Sequence, residues 1–427
     1  MTYKQAEEFV ESTKKYGSIL GLGTIRNLMR LLGDVQEKLA IVHVAGTNGK
    51  GSVCAFLSAA LGEAGYLVGR FNSPVVFEKR ESFRIGESII SETEYADVME
   101  QIQIACEQLV AEGKPHPTAF EVETAAAFLW FYQRKCDLAL LETGMGGESD
   151  ATNLIPRPVC SVLTSIAMDH MQYLGNTLKE IAAVKAGIIK QGCPVIALEQ
   201  KQEVNETIRE RAEELRAPYV FSNSSERRVL EVSLEHGLEL EHDYYGNVRT
   251  RMAGTYQVEN LTLALCVLKQ LEKSGYALSK KSVRDGIKKA IWHGRFEVVR
   301  REPLFIIDGA HNTAAVQRLQ ETIEKDFTNK EIIYIIGVLE DKEYIGMIKE
   351  ILRPAKKVYT VTPNNPRALD GKILAQRIRE YRQDVTDLQC IEDAVRESLL
   401  CAKKEDVIIA FGSLSYLGEV TRVLATI

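Results

Sequence analysis

From residue 41 to about residue 200, short apolar runs alternate with longer amphipathic segments. The runs are rich in Val, Ile, Leu and Ala, which is typical of buried strands, whereas the longer segments repeat with the period of a helix. This alternation predicts a parallel sheet wrapped by helices. Strands are expected at residues 41–45, 138–141, 159–164 and 195–198, and helices are expected near residues 53–64, 92–111, 121–133 and 177–189.

The pattern changes between residues 217 and 252, where apolar and polar positions alternate as they do in strands. Val229-Leu-Glu-Val-Ser-Leu234 is one such stretch, and Tyr245-Gly-Asn247 is a turn signal. Together they predict a small antiparallel insertion. Two helical stretches are expected after it, near residues 256–273 and 280–291.

The segment Trp292-His-Gly-Arg-Phe296 carries a central glycine and is interpreted as a hinge. Beyond it the strand–helix alternation restarts, with apolar strands expected at residues 304–307, 332–336, 357–361 and 407–411. The sequence therefore predicts an α/β protein of two domains. Residues 1–296 would form the larger domain, and residues 297–427 would form a smaller Rossmann-like α/β domain.

Composition narrows the class of protein without identifying it. The 427 residues are 45% hydrophobic and 26% charged, which fits soluble globular packing. The net charge of −6 and the lack of a Lys/Arg-rich run argue against a nucleic-acid partner. The eight cysteines have no CxxC spacing and are interpreted as buried thiols. No signal core or membrane-length apolar run is evident, so we expect a cytoplasmic protein without a membrane partner.

The glycine-rich segment His43-Val-Ala-Gly-Thr-Asn-Gly-Lys-Gly-Ser52 joins a predicted strand to a predicted helix. This order surrounds an anion with backbone N–H groups, lets Lys50 reach a terminal phosphate and leaves Ser52 free to ligate a metal. The spacing is a variant of the common phosphate loop, because Gly51 separates Lys50 from Ser52. We therefore expect a P-loop ATPase domain in which ATP is bound by Gly46, Thr47, Asn48, Gly49, Lys50, Gly51 and Ser52.

Several titratable residues follow predicted strands, and ligands of open α/β sheets bind at the carboxyl ends of strands. Glu142 is interpreted as a ligand of the nucleotide's Mg²⁺, with a carboxylate that caps the glycine turn as the alternative. Asp169 and His170 follow the next strand, and from spacing alone His170 is more readily a hydrogen-bonded residue than a ligand. Asp308 also ends a strand, whereas Lys185 lies in a predicted helix and is expected, from spacing alone, at the surface.

The loop at residues 46–52 resembles that of the Mur ligase superfamily, and residues 43–52 are most similar to its folylpolyglutamate synthase and dihydrofolate synthase branch. Residues 41–198 and 254–312, and more loosely the last 20 residues, resemble the same branch. The resemblance implies an ATP-dependent ligase that adds glutamate to the γ-carboxylate of tetrahydrofolate through an acyl phosphate. Its substrates would be folate and L-glutamate, and a monomer is expected.

The resemblance also implies roles for individual residues. In that family two Mg²⁺ ions offset the repulsion between the substrate acid and the γ-phosphate, and a carbamylated lysine supplies a further carboxylate. The matching metal ligands are Ser52, Ser73, Glu142 and His170, and the matching lysine is Lys185. The matching nucleotide contacts are Gln257, Asn260, Arg295 and Asp308, and the matching catalytic residues are Lys50, Lys185 and His311.

The sequence departs from the family pattern near the expected acceptor and pterin pockets. Ser82 replaces an arginine associated with glutamate binding, and either Arg80 or Arg84 is a candidate substitute. Glu148 also replaces a cation, Val75-Val76 replaces His-Leu, and residues 412–419 are a shuffled form of the usual Gly-Ser-Leu-Tyr segment. Residues 118–124, Thr-Ala-Phe-Glu-Val-Glu-Thr, still resemble the segment that borders the folate site, which keeps folate first among the candidate acceptors.

Other functions stay open. Dihydrofolate synthase activity, alone or alongside the first activity, uses the same chemistry. A divergent ATP-binding paralogue with a non-folate acceptor or without ligase activity would explain the departures, although the retained Lys50, Glu142 and His311 argue against it. A cell-wall Mur ligase is disfavoured, since nothing before residue 41 resembles a UDP-binding domain.

Overall fold

The first sheet is mostly parallel in a computed structural model that describes residues 1–17, 21–351 and 355–427. Its strands are β1 (Ile41–Ala45), β2 (Val68–Phe71), β3 (Phe83–Ile85), β4 (Ser88–Ile89), β5 (Leu138–Glu142), β6 (Cys160–Leu163), β7 (Val195–Leu198) and β8 (Tyr219–Ser222). They lie in the order β4-β3-β2-β5-β1-β6-β7-β8, and every neighbouring pair is parallel except β2–β3 and β3–β4. The predicted α/β class and its parallel sheet are confirmed.

Helices cover both faces of this sheet because alternate strand residues point to opposite sides. They are α1 (Tyr3–Thr13), α2 (Gly23–Leu31), α3 (Lys50–Glu63), α4 (Glu92–Ala111), α5 (Ala119–Gln133), α6 (Met171–Leu174), α7 (Leu178–Ala186), α8 (Gln202–Glu214), α9 (Gln257–Lys273) and α10 (Lys280–Lys289). Val42 and Val44 of β1 pack with α3, α9 and α10, whereas Ile41 packs with the layer that contains α4 and α5. Capping boxes fix the first turns of α4, α5 and α7.

A three-stranded antiparallel sheet forms the predicted insertion, but the start of that prediction is wrong, because residues 219–222 form β8 at the edge of the first sheet. Its strands are β9 (Arg227–Ser233), β10 (Gly237–His242) and β11 (Gly246–Thr250), in the order β11-β10-β9. The predicted turn at residues 245–247 coincides with the start of β11, where Gly246 has a positive φ of 73°. Leu238, Leu240 and Val248 bury their side chains in the cluster that contains α9, so the insertion packs on the first domain.

The second α/β unit has six strands and five helices among the described residues. The strands are β12 (Glu297–Arg301), β13 (Leu304–Ile307), β14 (Ile332–Ile336), β15 (Ala355–Val361), β16 (Val385–Gln389) and β17 (Val407–Phe411). The helices are α11 (Thr313–Asp326), α12 (Tyr344–Ile351), α13 (Gly371–Arg379), α14 (Ile391–Cys401) and α15 (Leu414–Leu424). The order is β12-β13-β17-β14-β15-β16, and only β12 is antiparallel to its neighbour. The division after residue 296 stays a prediction.

Two interpretations of the composition can be compared with this fold. The reading of every cysteine as a buried thiol is wrong for Cys390, which is exposed, and for Cys136 and Cys401, which are partly exposed. Cys390 precedes α14 at the end of a partly exposed edge strand, so no layer covers it. Among the described residues, no helix is both long and apolar enough to cross a membrane.

Candidate active site

A cavity of about 710 Å³ lies between the two α/β units, at the carboxyl ends of β1, β5, β6 and β13. This is where ligands of open α/β sheets bind. All of the predicted site residues line the cavity except Gln257, which is fully buried beside it. The predicted residues that line it are Gly46, Thr47, Asn48, Gly49, Lys50, Gly51, Ser52, Ser73, Glu142, His170, Lys185, Asn260, Arg295, Asp308 and His311.

The glycine-rich loop is held in shape by the segment that follows β6. The backbone N–H groups of Thr47 and Asn48 donate to the Ser165 carbonyl at 2.7 and 3.2 Å. The Thr164 hydroxyl donates to the Asn48 carbonyl at 2.7 Å, and a side chain at Gly46 would overlap Thr164. The loop then enters α3 at Lys50. Its path therefore requires glycine at position 46 and leaves the first turn of α3 facing the cavity.

Glu142 supplies a buried carboxylate beside this loop. Its side chain is 7% exposed and lies 3.6 Å from the Lys50 ammonium, while Asn72 donates to its second oxygen at 2.7 Å. Burial raises the pKa of Glu142, and the charge of Lys50 opposes that shift. The hydroxyls of Ser52 and Ser73 line the same cavity, and Gln257 donates to Ser52 at 3.3 Å. Mg²⁺ prefers such oxygen ligands, so Ser52, Ser73 and Glu142 fit a divalent cation.

His170 faces a cluster of charges that the sequence did not reveal. The Lys342 ammonium lies 2.8 Å from Asp169 Oδ1 and 3.2 Å from His170 Nε2, so it occupies one of the two ring nitrogens through which His170 could bind a metal. Burial lowers the pKa of His170 to about 4. Burial opposes ionisation of Asp169, but His311, with Nε2 3.7 Å from Asp169 Oδ2, and the charge of Lys342 hold the pKa of Asp169 below the usual range. This arrangement does not fit a metal at Nε2 of His170 unless Lys342 withdraws.

Lys342 is the functional candidate that sequence reasoning missed. It follows β14 in the loop before α12, at the carboxyl edge of the second sheet. Its position after a strand made Lys342 a candidate by the rule that ligands bind at strand ends. Its partners, His170 and Asp169, are 172 and 173 residues away in the chain, so no local pattern indicates the contact. Its side chain is 7% exposed, so its charge is largely removed from solvent.

Lys185 is buried, and the expectation from spacing that it lies at the surface is wrong. The side chain is on α7 between the buried Ala182 and Ala186, and its ammonium donates to the Gly46 carbonyl at 2.8 Å. Gly147 packs directly on the backbone of Lys185, which allows α7 to approach the cavity. Burial and the charge of Lys50 lower the pKa of Lys185 to about 7. The amine is therefore neutral and nucleophilic in part of the molecules at neutral pH.

Both carboxylate oxygens of Asp308 accept hydrogen bonds from the protein, so Asp308 stabilises the backbone around it instead of offering free oxygens to a ligand. Its Oδ2 accepts from the Tyr256 hydroxyl at 2.9 Å and from the Phe296 N–H at 2.8 Å, and its Oδ1 accepts from the Ala310 N–H at 2.7 Å. Burial raises the pKa of Asp308, and Arg295 opposes the shift. His311 lies in the same turn, with Nδ1 2.8 Å from the Gly309 carbonyl. The turn thus presents His311 to the cavity, and Arg295, which packs beside Gly309, lines it as well.

Asn312 joins the two units at the glycine-rich loop. Its amide exchanges hydrogen bonds with that of Asn48 at 3.0 and 3.2 Å, and its Oδ1 caps α11 by accepting from the Ala315 N–H. We expect Asn312→Ala to lower stability by about 1–2 kcal/mol, because the cap and the amide pair are both lost. Calorimetric unfolding measures this change. Asn312→Ser keeps a capping oxygen, so its Tm should lie between those of the wild type and Asn312→Ala. A wild-type Tm in both variants would contradict this role of Asn312.

Comparisons with known proteins agree with this architecture. Residues 44–268 match the Mur ligase middle domain, and residues 294–414 match the Mur ligase glutamate ligase domain. A Bacillus subtilis protein named dihydrofolate synthase/folylpolyglutamate synthase is 34% identical over 98% of both chains. Folylpolyglutamate synthase of Mycobacterium tuberculosis, solved with ADP and AMPPCP, superposes with a TM-score of 0.89 at 29% identity, covering 99% of this chain and 98% of that one.

The Escherichia coli protein FolC, solved with DHPP and ADP, superposes with a TM-score of 0.88 at 27% identity. That likeness covers all of this chain and 98% of the other. These matches extend over both α/β units and the insertion between them, rather than over the phosphate loop alone. The chain belongs to the folylpolyglutamate synthase and dihydrofolate synthase family of the Mur ligases.

Proposed function

We propose that the protein is an ATP-dependent ligase that joins L-glutamate to the γ-carboxylate of tetrahydrofolate through an acyl phosphate. The observation that carries the proposal is the single cavity on which the glycine-rich loop of one sheet and the Asp308–His311 turn of the other converge. A phosphate donor bound on one wall and an amine bound on the other would react there directly, and the reaction needs no covalent bond to a side chain of the protein. Positioning and electrostatics then account for most of the catalysis.

The loop residues bind the nucleotide in this proposal. Backbone N–H groups at the start of α3 and the Lys50 ammonium orient the γ-phosphate for attack by the substrate carboxylate. Arg295 approaches the phosphates from the segment that precedes the second unit, and Asn260 lies beside Gly49 on the wall of the cavity. Gln257 acts through its hydrogen bond to Ser52 as well as through the adenine contact that the family resemblance assigns to it.

Two Mg²⁺ ions are proposed from the same resemblance. Ser52, Ser73 and Glu142 would hold the first ion, which offsets the repulsion between the γ-phosphate and the substrate acid. The second ion would lie at His170, and the contacts of Lys342 must then break before His170 can serve as a ligand. His311, which faces the cavity from the second unit, would hold the amine of glutamate for its attack on the acyl phosphate.

We propose further that Lys185 is carbamylated. The ammonium would first lose a proton, and the neutral amine would then add to CO₂ and release a second proton, so that a buried cation becomes an anion. The burial that lowers its pKa to about 7 makes the reactive neutral form accessible. The product would place a carboxylate beside Lys50, whose charge disfavours the unmodified ammonium.

Turnover with defined substrates tests the function. Purified protein receives ATP, Mg²⁺ and L-glutamate with tetrahydrofolate, with dihydropteroate or without a pterin, and ADP release is measured while mass spectrometry identifies products. Release that requires tetrahydrofolate, with a product one glutamyl unit heavier, supports the proposal. Release that neither pterin stimulates would contradict it and point to another acceptor or a paralogue without ligase activity.

Dihydrofolate synthase activity is the second candidate, alone or in the same protein. The B. subtilis relative carries both names, and FolC was solved with DHPP in addition to ADP. Dependence of ADP release on dihydropteroate would establish this reaction. For either activity, a monomer in the cytoplasm remains the expectation.

A further inference from the structure

Arg70 is a buried guanidinium without an acidic partner. It lies on β2 and is 3% exposed, yet within the described part of the chain no ion pair or side-chain hydrogen bond involves it. Its Nε atom is buried without a hydrogen-bond partner. An unpaired buried charge costs several kcal/mol, so an anionic ligand that paired with Arg70 would lower the free energy of the folded protein.

A second arginine stands directly across from it. Arg84 on β3 is paired with Arg70 in the antiparallel register, so both side chains lie on the same face of the sheet. Arg84 donates to the Glu87 carbonyl at 3.1 Å, and its other terminal nitrogen is 3.9 Å from Glu81, a distance beyond hydrogen bonding. Glu81 Oε2 accepts from the N–H groups of Val76 and Phe77, and Oε1 is the oxygen that lies nearer to Arg84. Two like charges on adjacent strands repel each other unless an anion lies between them.

Both arginines line a small cavity next to the active site. Its volume is about 80 Å³, which is room for two or three waters at about 30 Å³ each and therefore for one carboxylate rather than a pterin ring. Glu81 and the exposed Glu87 also line it. The Trp292 ring covers Arg70 at 5.2 Å, and it lines the ATP cavity as well. Pro74, Arg295 and Leu414 also line both cavities, so one ligand can reach from the first into the second.

We propose that Arg70 and Arg84 bind a free carboxylate of the amino-acid substrate. Guanidinium forks recognise carboxylates by paired hydrogen bonds, and the adjoining cavity leaves the amine of that substrate free to enter the active site. The alternative Arg80 turns away from this pocket. It lies 2.7 Å from Glu78, donates to the Ile90 carbonyl at 3.1 Å and stacks over the Tyr3 ring. This assignment rests on the proposed function for the identity of the amino acid.

Steady-state kinetics of Arg70→Met test the assignment. We expect the KM for L-glutamate to rise about 10- to 100-fold, while kcat and the KM for ATP change little, because a charge-assisted contact to one substrate is lost. Arg84→Met should act in the same direction. Arg80→Met is the matched control and should leave all three constants unchanged. If the wild-type protein is an active ligase and Arg70→Met has the same KM for L-glutamate, the assignment is overturned while the ligase function stands.

Thermal unfolding gives a readout that does not depend on turnover. Without ligand, Arg70→Met should have a higher Tm than the wild type, because a buried unpaired charge is replaced by an apolar side chain of similar length. Added L-glutamate or glutarate should raise the Tm of the wild type but not of Arg70→Met. If these carboxylates stabilise both proteins equally, or neither, the assignment fails even where the protein shows no ligase activity.

Discussion

Lys185→Ala is expected to abolish turnover while ATP binding stays nearly unchanged. The ammonium donates to the Gly46 carbonyl and reaches the cavity from α7, whereas the rest of the glycine-rich loop is held by Thr164 and Ser165. The nucleotide site should therefore keep its shape. Removal of one preorganised charge from an active site typically lowers kcat by about 10²–10³-fold, and loss of a carbamate should reach at least that range.

The measurement combines ADP release with nucleotide binding for the same preparation. Lys179→Ala is the matched control, since Lys179 is on the same helix and exposed. Removal of CO₂ should lower wild-type activity, and bicarbonate should restore it, whereas Lys185→Ala should not respond to bicarbonate. Full activity of the alanine variant would exclude the carbamate.

Glu142→Gln is expected to lower kcat by about 100-fold or more and to raise the Mg²⁺ concentration needed for half-maximal activity. The substitution keeps the volume of the side chain and leaves an oxygen that can accept from Asn72, but it removes the charge that faces Lys50. A metal ligand and the counter-charge of Lys50 are lost together. The fold should tolerate the change, because the amide needs less solvation than the carboxylate it replaces.

Activity measured over a range of Mg²⁺ concentrations checks this expectation, with the unfolding midpoint as a test of structure. Glu148→Gln is a useful control, since Glu148 also follows β5 but does not line the cavity. An unchanged metal dependence in Glu142→Gln would show that Glu142 caps the glycine turn instead of binding the ion, which is the alternative that the sequence left open.

Much of the fold could be predicted because buried strands in parallel sheets are continuous apolar runs. The strands β1, β7, β13, β14 and β17 have the bounds that the apolar pattern indicates. The hairpin of β3 and β4 was not predicted, since its strands have only three and two residues and several polar side chains. The edge strands β12 and β16 were not predicted either, because they are partly exposed and contain polar residues.

The sequence could predict only those site residues whose position follows from the order of the parallel strands. Residues that follow parallel strands, such as Glu142 and Asp308, must lie at one edge of a sheet, so sequence order is sufficient to group them. The burial of Lys185 depends on how closely α7 packs over Gly147, and no local pattern encodes that distance. The pairing of Lys342 with Asp169 depends on how the two units meet, which again lies outside any window of sequence.

The position of Trp292 has a practical consequence for following the reaction. Its indole packs on Gly51 of the glycine-rich loop and on the guanidinium of Arg70, so it adjoins both ligand sites. The chain has two tryptophans, and the other, Trp130, is buried in the helical layer around α4 and α5. Intrinsic fluorescence should therefore report each ligand without a label: when ATP and the amino acid are added in separate experiments, quenching or a spectral shift of Trp292 follows the binding of each one.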